Sequence, residues 1–245
     1  MLYTPLQSLK GKRAKVANLS STHALLKKLQ FLFELPKKLK TCIEEENWAL
    51  GVKFYVKAEQ VLLQYEHMPS FRGIKNDCDA IMEQLKIKMK QQLKDSKNSS
   101  PQIMADSVHL LMQLKEPIDE LCDSYLSTSK IKLQESLDNL NSQVEVAATS
   151  EMDILEFVDQ ACNGFLSDLC LIIGHFNETF NVEEELIVSN KLNAFVIDIM
   201  SEFMAILKAR MLLEKNLSET ALLVRAVDRF YRRIQGLYFI FRLSD

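Results

Sequence analysis

Apolar side chains recur every three or four positions along most of the chain, the spacing that lines one face of an α-helix. The clearest case is a pair of segments on either side of Pro69. The first carries Trp48, Val52, Tyr55, Ala58, Leu62 and Tyr65, and the second carries Phe71, Ile74, Cys78, Ile81, Leu85, Met89 and Leu93. Because Pro69 cannot continue a helix interior, and Ser70 is a candidate N-cap, the pattern predicts a helical hairpin. Its predicted seam packs Trp48, Tyr55 and Tyr65 against Phe71, Ile74 and Cys78.

The same spacing extends to both sides of this hairpin. A helix is expected from about Leu19, with a kink or restart at Pro36. Further helices are predicted from Pro101, from Ile118, after a Ser150–Asp153 cap, through Leu192 and from Ser218. With only 6 Gly and 5 Pro, the chain has few of the turns that a sheet protein needs. The sequence therefore predicts an all-α protein of about eight helices, arranged as an elongated rod of antiparallel helices and hairpins.

Interruptions of the pattern predict how the chain is organised. The clearest linker is residues 96–101, which ends in a helix start at Ser100 and Pro101. A softer break is expected from Glu145 to Thr149. The predicted organisation is a flexible N-terminus (1–17), a first helical unit with the hairpin (18–95), the linker (96–101), a helical pair (102–147), a three-helix unit (150–234) and an apolar tail (235–245).

Charge is unevenly distributed although the net charge is only −3. Residues 1–100 carry 18 Lys and Arg against 10 Asp and Glu, whereas residues 101–245 carry 12 against 23. Solvated helix faces would explain this, and so would a basic end that meets acidic partners or an anionic membrane surface. The lysines between residues 86 and 94 form only a modest stripe, so nucleic acid is not an expected partner.

The chain carries no motif that predicts an enzyme. Phosphate-binding, dinucleotide-binding, HExxH and GxSxG motifs are missing from the sequence, and neither His67 nor His175 has a base or metal partner in the pattern. The five cysteines are widely spaced without a CxxC pair, so we expect reduced, mostly buried thiols of a cytosolic protein. No apolar run approaches the ~20 residues of a membrane span. We predict a non-enzymatic protein without cofactor or metal, attached to membranes peripherally at most.

Three segments resemble a known family. They are HALLKKLQFLFELPKKLKTCIE (His23–Glu44), VLLQYEHMPSFRGIKNDC (Val61–Cys78) and ALLVRAVDRFYRRI (Ala221–Ile234). Together they resemble the vacuolar protein sorting-associated protein 51 family, also called Fat-free, over roughly residues 18–234. The resemblance implies a subunit of the Golgi-associated retrograde protein complex and the endosome-associated recycling complex, which are vesicle tethers built of helical rods.

This resemblance also implies partners and a place in the cell. The expected partners are the sister subunits of the tethering complex and SNARE proteins. The expected process is retrograde transport from endosomes to the trans-Golgi network, together with endosomal recycling. The expected location is cytosolic, with peripheral attachment at the trans-Golgi network and recycling endosomes.

Both ends of the chain depart from the family pattern. Residues 1–17 do not match the family's N-terminal region, which contains a SNARE-binding segment and an assembly coiled coil. The chain also stops soon after the RFYRRI motif at Arg229–Ile234. We therefore expect a short or partial form that lacks the SNARE-binding segment and assembles less efficiently.

Two apolar clusters are candidate partner contacts. Phe31, Leu32 and Leu35 belong to a segment that is apolar almost all round, and Phe239 and Phe241 lie in the tail. An alternative hypothesis is a helical adaptor that binds a peptide helix in a hairpin groove. A helical enzyme or a lipid carrier would need a buried polar site or a large apolar cavity, which the sequence does not indicate.

Overall fold

The computed structural model describes residues 4–95, 100–147, 153–180, 186–213 and 220–242. For residues 4–19, 21, 24–25, 146–147 and 237–242 it describes the backbone only. Its helices are α1 (Thr4–Glu44), α2 (Trp48–Gln64), α3 (Pro69–Lys94), α4 (Pro101–Gln113), α5 (Ile118–Ala147), α6 (Ile154–Ala161), α7 (Ser167–Phe180), α8 (Leu186–Leu213) and α9 (Thr220–Arg242). A π-helical turn, Cys162–Leu166, joins α6 to α7. The all-α prediction is confirmed. If α6, the π-helical turn and α7 are counted as one continuous helix, the described residues form eight helices, in agreement with the prediction of about eight.

Helix starts follow the local chemistry, with two differences from the sequence prediction. At α4 the prediction is confirmed, since the Ser100 hydroxyl accepts the backbone N–H of Ile103 at 3.3 Å and Pro101 opens the helix. At α6 the capping side chain is Asp153, and the other proposed cap residues lie outside the described part. At α3 the Ser70 cap is wrong: the helix begins at Pro69, whose missing N–H costs nothing in a first turn.

Two helices end in the same left-handed turn. Glu46 has φ = 56°, its N–H donates to the Ile43 carbonyl at 3.3 Å, and the Asn47 N–H donates to the Cys42 carbonyl at 2.8 Å. Lys115, with φ = 63°, occupies the matching position after α4. This pattern satisfies carbonyls that a helix end otherwise leaves unpaired. It turns the chain sharply between α1 and α2 and between α4 and α5.

The first helix is longer than the sequence pattern predicts. It begins at Thr4 rather than near Leu19, so the backbone of residues 4–17 is helical, and it continues through Pro36 without a restart. Pro5 falls in the first turn, where proline is tolerated. After it only Gly11 weakens the helix before Pro36, and one interior proline can bend a helix rather than end it. The predicted start is wrong, and of the kink or restart predicted at Pro36 the restart is wrong, while the kink stays a prediction.

Contacts group the chain into two compact units, Met1–Lys88 (unit 1) and Met89–Asp245 (unit 2). This division falls within α3, before the linker predicted at 96–101, of which residues 96–99 lie outside the described part. In unit 1, α1 packs along α2. The two helices lie close together at Gly51, where an added Cβ would lie 3.3 Å from that of Cys42.

The predicted hairpin of α2 and α3 is present, and its turn lies in unit 1. The Tyr55 hydroxyl donates to Asp79 Oδ1 at 2.8 Å, and these residues are equally distant in sequence from the turn at His67. The predicted α3 face is buried except for the half-buried Ile74: Phe71, Cys78, Ile81, Leu85, Met89 and Leu93. Tyr65 packs on Phe71 with ring centroids 5.5 Å apart.

Trp48 does not lie where the sequence placed it. It is the first residue of α2, at the opposite end from Tyr65, and it is half-buried. At 1.5 Å rise per residue, about 25 Å of helix separates the two side chains. Tyr65 occupies the place beside Phe71, so the prediction that Trp48 packs in that part of the seam is wrong. An i, i+3, i+4 pattern identifies a face of a helix but not the position of each residue along its partner.

Unit 2 has a core rich in aromatic rings. Phe165 stacks on Phe203 at 4.5 Å between centroids, and Phe176 lies 4.6 Å from Phe180. Tyr125 is fully buried, and its hydroxyl donates to the Ile172 carbonyl at 3.3 Å. These rings join α5, the α6–α7 run and α8. Around them α4 packs on α7, α5 packs on α8, and α6 packs on α9.

Candidate protein-interaction surfaces

Chemistry-bearing side chains are dispersed over the helices. His67 is exposed beside Tyr65, and His175 Nδ1 lies 3.7 Å from a carboxylate oxygen of Glu178 one turn later. Within the described residues, no group of three or more His, Cys, Asp or Glu side chains could hold a metal ion. In the same ranges no helix is long and apolar enough to cross a membrane.

The cysteines are packing residues of the helices. All five are free; Cys42, Cys78, Cys122 and Cys162 are buried and Cys170 is half-buried. Burial raises the pKa of Cys78 to about 12, and it also raises the pKa of Cys42, Cys162 and Cys170. Because the thiolate is the reactive form, these shifts make poor nucleophiles of the thiols. The expectation of mostly buried thiols is confirmed.

The apolar segment of α1 divides into core and surface positions. Leu32 and Leu35 are buried in unit 1, so the structure corrects their placement as partner contacts. They lie on the face of α1 that is buried within unit 1. Phe31 is half-buried against Phe54, with centroids 5.9 Å apart. Phe33, which the sequence interpretation did not select, leaves 57% of its surface exposed while its ring packs near Phe71.

A groove between α1 and α2 lies beside Phe31. It has a volume of about 430 Å³, and we call it the α1–α2 groove. Its walls are Lys27, Lys28, Phe31 and Leu32 from α1 and Lys57, Ala58 and Val61 from α2. The floor is apolar, and both rims carry lysines. Sequence reasoning missed this site because the two rims lie about thirty residues apart in the sequence and meet only when the helices pair.

A second surface runs along α9. Ala226 and Phe230 face the unit 2 core, and Phe230 lies 5.8 Å from Phe203. On the other side Val224, Val227 and Tyr231 are exposed, and with Leu223 they form what we call the α9 stripe. The spacing 223, 224, 227 and 231 is itself a helical face, so the sequence does contain a signal that separates the two stripes.

The two predicted tail contacts cannot be placed on this surface. Phe239 and Phe241 lie in the part of α9 for which only the backbone is described. Their role as partner contacts stays a prediction.

Elsewhere charged side chains tie helices together. Lys191 of α8 lies 2.6 Å from both Asp119 and Asp123 of α5, and Lys130 of α5 pairs with Asp198 of α8. Arg229 of α9 pairs with Asp159 of α6. Exposed pairs of this kind contribute little stability each, but they fix which helix faces meet.

Comparison with known proteins identifies relatives along nearly the whole chain. The vacuolar protein sorting-associated protein 51 homolog of Xenopus tropicalis is 40% identical over 232 residues, which are 94% of this chain and 29% of the relative. The Danio rerio homolog is 37% identical over 272 aligned residues, 94% of this chain and 33% of the relative. The Homo sapiens homolog is 35% identical over 94% of this chain and 29% of its own length. The chain thus spans about a third of the length of these relatives.

The family comparison gives a consistent result. No solved structure matches the chain. The family model described as exocyst complex component Sec5 matches residues 3–209. The resemblance to vacuolar protein sorting-associated protein 51 is confirmed by the relatives. Because this family model matches most of the chain, the chain belongs to the family that the model describes, exocyst complex component Sec5, and vacuolar protein sorting-associated protein 51 homologues are its relatives along 94% of its length.

Proposed function

We propose that this chain is a non-enzymatic subunit of a vesicle-tethering complex and acts through protein–protein contacts. The process is retrograde transport from endosomes to the trans-Golgi network, together with endosomal recycling. The names of the relatives support this assignment, and so does the match to a component of the exocyst complex. An all-helical chain whose polar groups are dispersed suits a scaffold better than a reaction site.

The observation that carries the proposal is the α9 stripe. One face of α9 packs on α6 and α7, while Val224 and Tyr231 on the other face remain mostly exposed. Contiguous exposed apolar surface on a helix usually marks a protein contact. An amphipathic helix can supply such a contact with two turns of side chains, without forming a deep pocket.

Sister subunits of the tethering complex are the proposed partners of this surface. SNARE proteins are proposed as partners of the assembled complex rather than of the described helices. The proposed location is the cytosolic side of the trans-Golgi network and recycling endosomes, reached through the complex as a peripheral component. Neither cofactor nor nucleic acid enters this proposal.

The test is affinity purification of the tagged chain from cells, with the recovered proteins measured by mass spectrometry. We expect sister tether subunits to be enriched over a tag-only control. The double variant Val224→Lys, Val227→Lys should reduce that recovery severalfold. A matched control places the same change on exposed apolar positions of α7 and α8, Leu171→Lys with Ile197→Lys.

Two results would contradict the proposal. Recovery of no tether subunit, even when the family's N-terminal region is fused to the chain, would remove its basis. Equal recovery by both double variants and the unchanged chain would show that the α9 stripe is not a contact. A set of unrelated proteins that share a short helical motif would favour the adaptor hypothesis instead.

A further inference from the structure

The α1–α2 groove combines an apolar floor with an unneutralised basic rim. Lys27 and Lys28 stand on the α1 side, and Lys57 stands on the α2 side. All three side chains are exposed, and no carboxylate belongs to the groove lining. Facing lysines raise the local positive potential, because the apolar floor between them supplies no counter-charge.

The acidic side chains nearest in sequence to the groove are not part of its lining. Glu34 lies 3.0 Å from Lys38, one turn further along α1. Glu59 of α2 is not part of the groove lining, and its charge contributes to raising the pKa of Tyr55 and of Lys75. By contrast, Lys75 has its own carboxylate at 3.0 Å, on Asp79. The groove lysines differ from such structural lysines in having no described carboxylate within ion-pair distance.

The floor of the groove has a shape on which a third helix can pack. Ala58 contributes only a methyl group, which leaves space between the larger side chains of Phe31 and Val61. Phe31 is held in place by the edge of Phe54 and by Lys38 Nζ, 5.1 Å from its ring centroid. Two antiparallel helices present such a seam to a third helix, which packs with its axis 8–10 Å away. The lining spans about one and a half turns of α1.

We propose that the α1–α2 groove binds an amphipathic helix of a partner protein whose apolar stripe is flanked on both sides by acidic residues. The apolar stripe would cover Phe31, Ala58 and Val61, and the two acidic rows would meet the lysines of the two rims. A basic patch on one side of the groove would favour acidic residues on only one flank of the bound helix. Lysines on both rims favour acidic residues on both flanks. This inference rests on the proposed function in that the partner belongs to the tether, but it concerns a different surface from the α9 stripe.

The experiment measures binding of a defined probe to the full chain by fluorescence anisotropy. The probe is a fluorescein-labelled helical peptide of about 20 residues, long enough to be partly helical, with Leu along one stripe and Glu on both flanks. A control peptide carries Gln in place of Glu. Vesicles of phosphatidylcholine with about one-fifth phosphatidylserine form a separate arm, because anionic lipid also attracts lysines.

Three variants locate the binding. Lys27→Glu, Lys28→Glu, Lys57→Glu reverses the rim, and Lys40→Glu, Lys88→Glu, Lys208→Glu makes the same charge change at exposed lysines outside the groove. Val61→Arg fills the groove from a half-buried position without removing a charge. Circular dichroism and thermal melting confirm that each variant is folded before binding is compared.

We expect the acidic peptide to bind and the Gln peptide to bind more weakly. The rim variant should weaken binding by about tenfold or more, since each lost exposed pair costs a small amount and reversal adds repulsion. Val61→Arg should weaken it as well, and the distal variant should stay within about twofold. High salt should weaken the interaction with the acidic peptide.

Equal effects of the rim and distal variants would overturn the proposal, because binding would then follow net charge alone. Loss of vesicle binding in the rim variant with no change in peptide binding would make the groove a lipid contact instead. A peptide that does not bind the folded chain would also overturn it. If the rim variant still recovers the tether subunits from cells while losing no peptide affinity, this inference fails and the proposed function stands.

Discussion

The two units use aromatic residues in opposite ways. In unit 2 most of the described rings form the interior: Tyr125, Phe157, Phe165, Phe176, Phe180, Phe195, Phe203 and Phe230 are all buried. In unit 1 the fully buried large side chains are aliphatic, such as Leu35, Leu39, Leu62 and Leu85. Among its described rings Phe71 alone is buried, and Phe33 is mostly exposed. Most described rings of unit 2 therefore stabilise its core, with Tyr231 exposed on α9, whereas unit 1 presents several of its rings at its surface.

Charge separates the same two units. Residues 1–88 carry 15 Lys and Arg against 9 Asp and Glu, a net charge of +6, and residues 89–245 carry 15 against 24, a net charge of −9. In unit 2 several charged side chains form ion pairs between helices, such as Lys191 with Asp119 and Asp123. In unit 1 the groove lysines face solvent. The difference shows that similar helical packing can support a closed core in one unit and an open, basic, partly aromatic surface in the other.

The largest expected effect tests the aromatic core of unit 2. Phe203→Ala should lower the free energy of unfolding by about 3–5 kcal/mol, because this ring is buried between Phe165 and Phe230. Phe33→Ala should cost less than about 1 kcal/mol, since its ring is mostly exposed. Urea unfolding followed by circular dichroism measures both. Similar losses of unfolding free energy for the two substitutions would contradict the difference between the aromatic core of unit 2 and the exposed ring of unit 1.

The next effect tests the aliphatic core of unit 1. Leu35→Ala should cost about 2–5 kcal/mol, because Leu35 is fully buried. Trp48 is the only tryptophan of the chain and belongs to unit 1, so its fluorescence follows unfolding there. Phe31→Ala is the matched variant on the same helix. If it proves as costly as Leu35→Ala, Phe31 is a core residue and not a wall of an open groove.

A smaller effect concerns alkaline pH. Below pH 9 the thiol of Cys78 is protonated in the folded and unfolded chains, so it adds no pH dependence. Between pH 9 and about 12 the unfolded thiol loses its proton while burial keeps the folded one protonated, so stability falls as pH rises. Cys78→Ala should flatten this fall, as measured by urea unfolding at several pH values. Cys170→Ala, at a half-buried position, is the control and should flatten it less.

The smallest effect on stability is expected at the α9 stripe. Val224→Lys with Val227→Lys should change the free energy of unfolding by no more than about 0.5 kcal/mol per site, because both side chains are exposed. The same pair should reduce self-association of the purified chain, measured by analytical ultracentrifugation at high concentration. Removal of Gly236–Asp245 tests separately whether the tail contributes. If neither change alters the self-association, the exposed apolar surface of α9 does not cause it.

Much of this fold could be predicted because helical periodicity is a local signal. The α3 face from Phe71 to Leu93 and the Ser100–Pro101 start are read from spacing and capping chemistry alone. Trp48 shows the limit, since its position along the hairpin depends on where the chain turns. Pro36 shows another, because a single proline weakens a helix without deciding whether packing outweighs it.

The candidate surfaces were harder to predict than the fold. The segment Phe31–Leu35 is apolar almost all round, so its sequence does not show which of its side chains are buried within unit 1. Their burial depends on residues of α2 and α3 that are distant in sequence. The α1–α2 groove likewise exists only once Lys27 and Lys57 are brought to facing rims. Tyr231 and Phe230 are adjacent in sequence, yet one is exposed and the other buried. The elongated rod shape and the predicted domain boundaries stay predictions.

The most direct test of a protein-contact role is hydroxyl-radical footprinting of the chain alone and in complex with the sister tether subunits. In the free chain Tyr231 and Phe33, with 59% and 57% of their surfaces exposed, should be oxidised readily, and the buried Phe203 should not. On assembly we expect severalfold protection of Tyr231 and its α9 neighbours, with Phe203 unreactive in both states. If the complex forms and the α9 stripe stays as reactive as in the free chain, that surface is not the contact with the sister subunits.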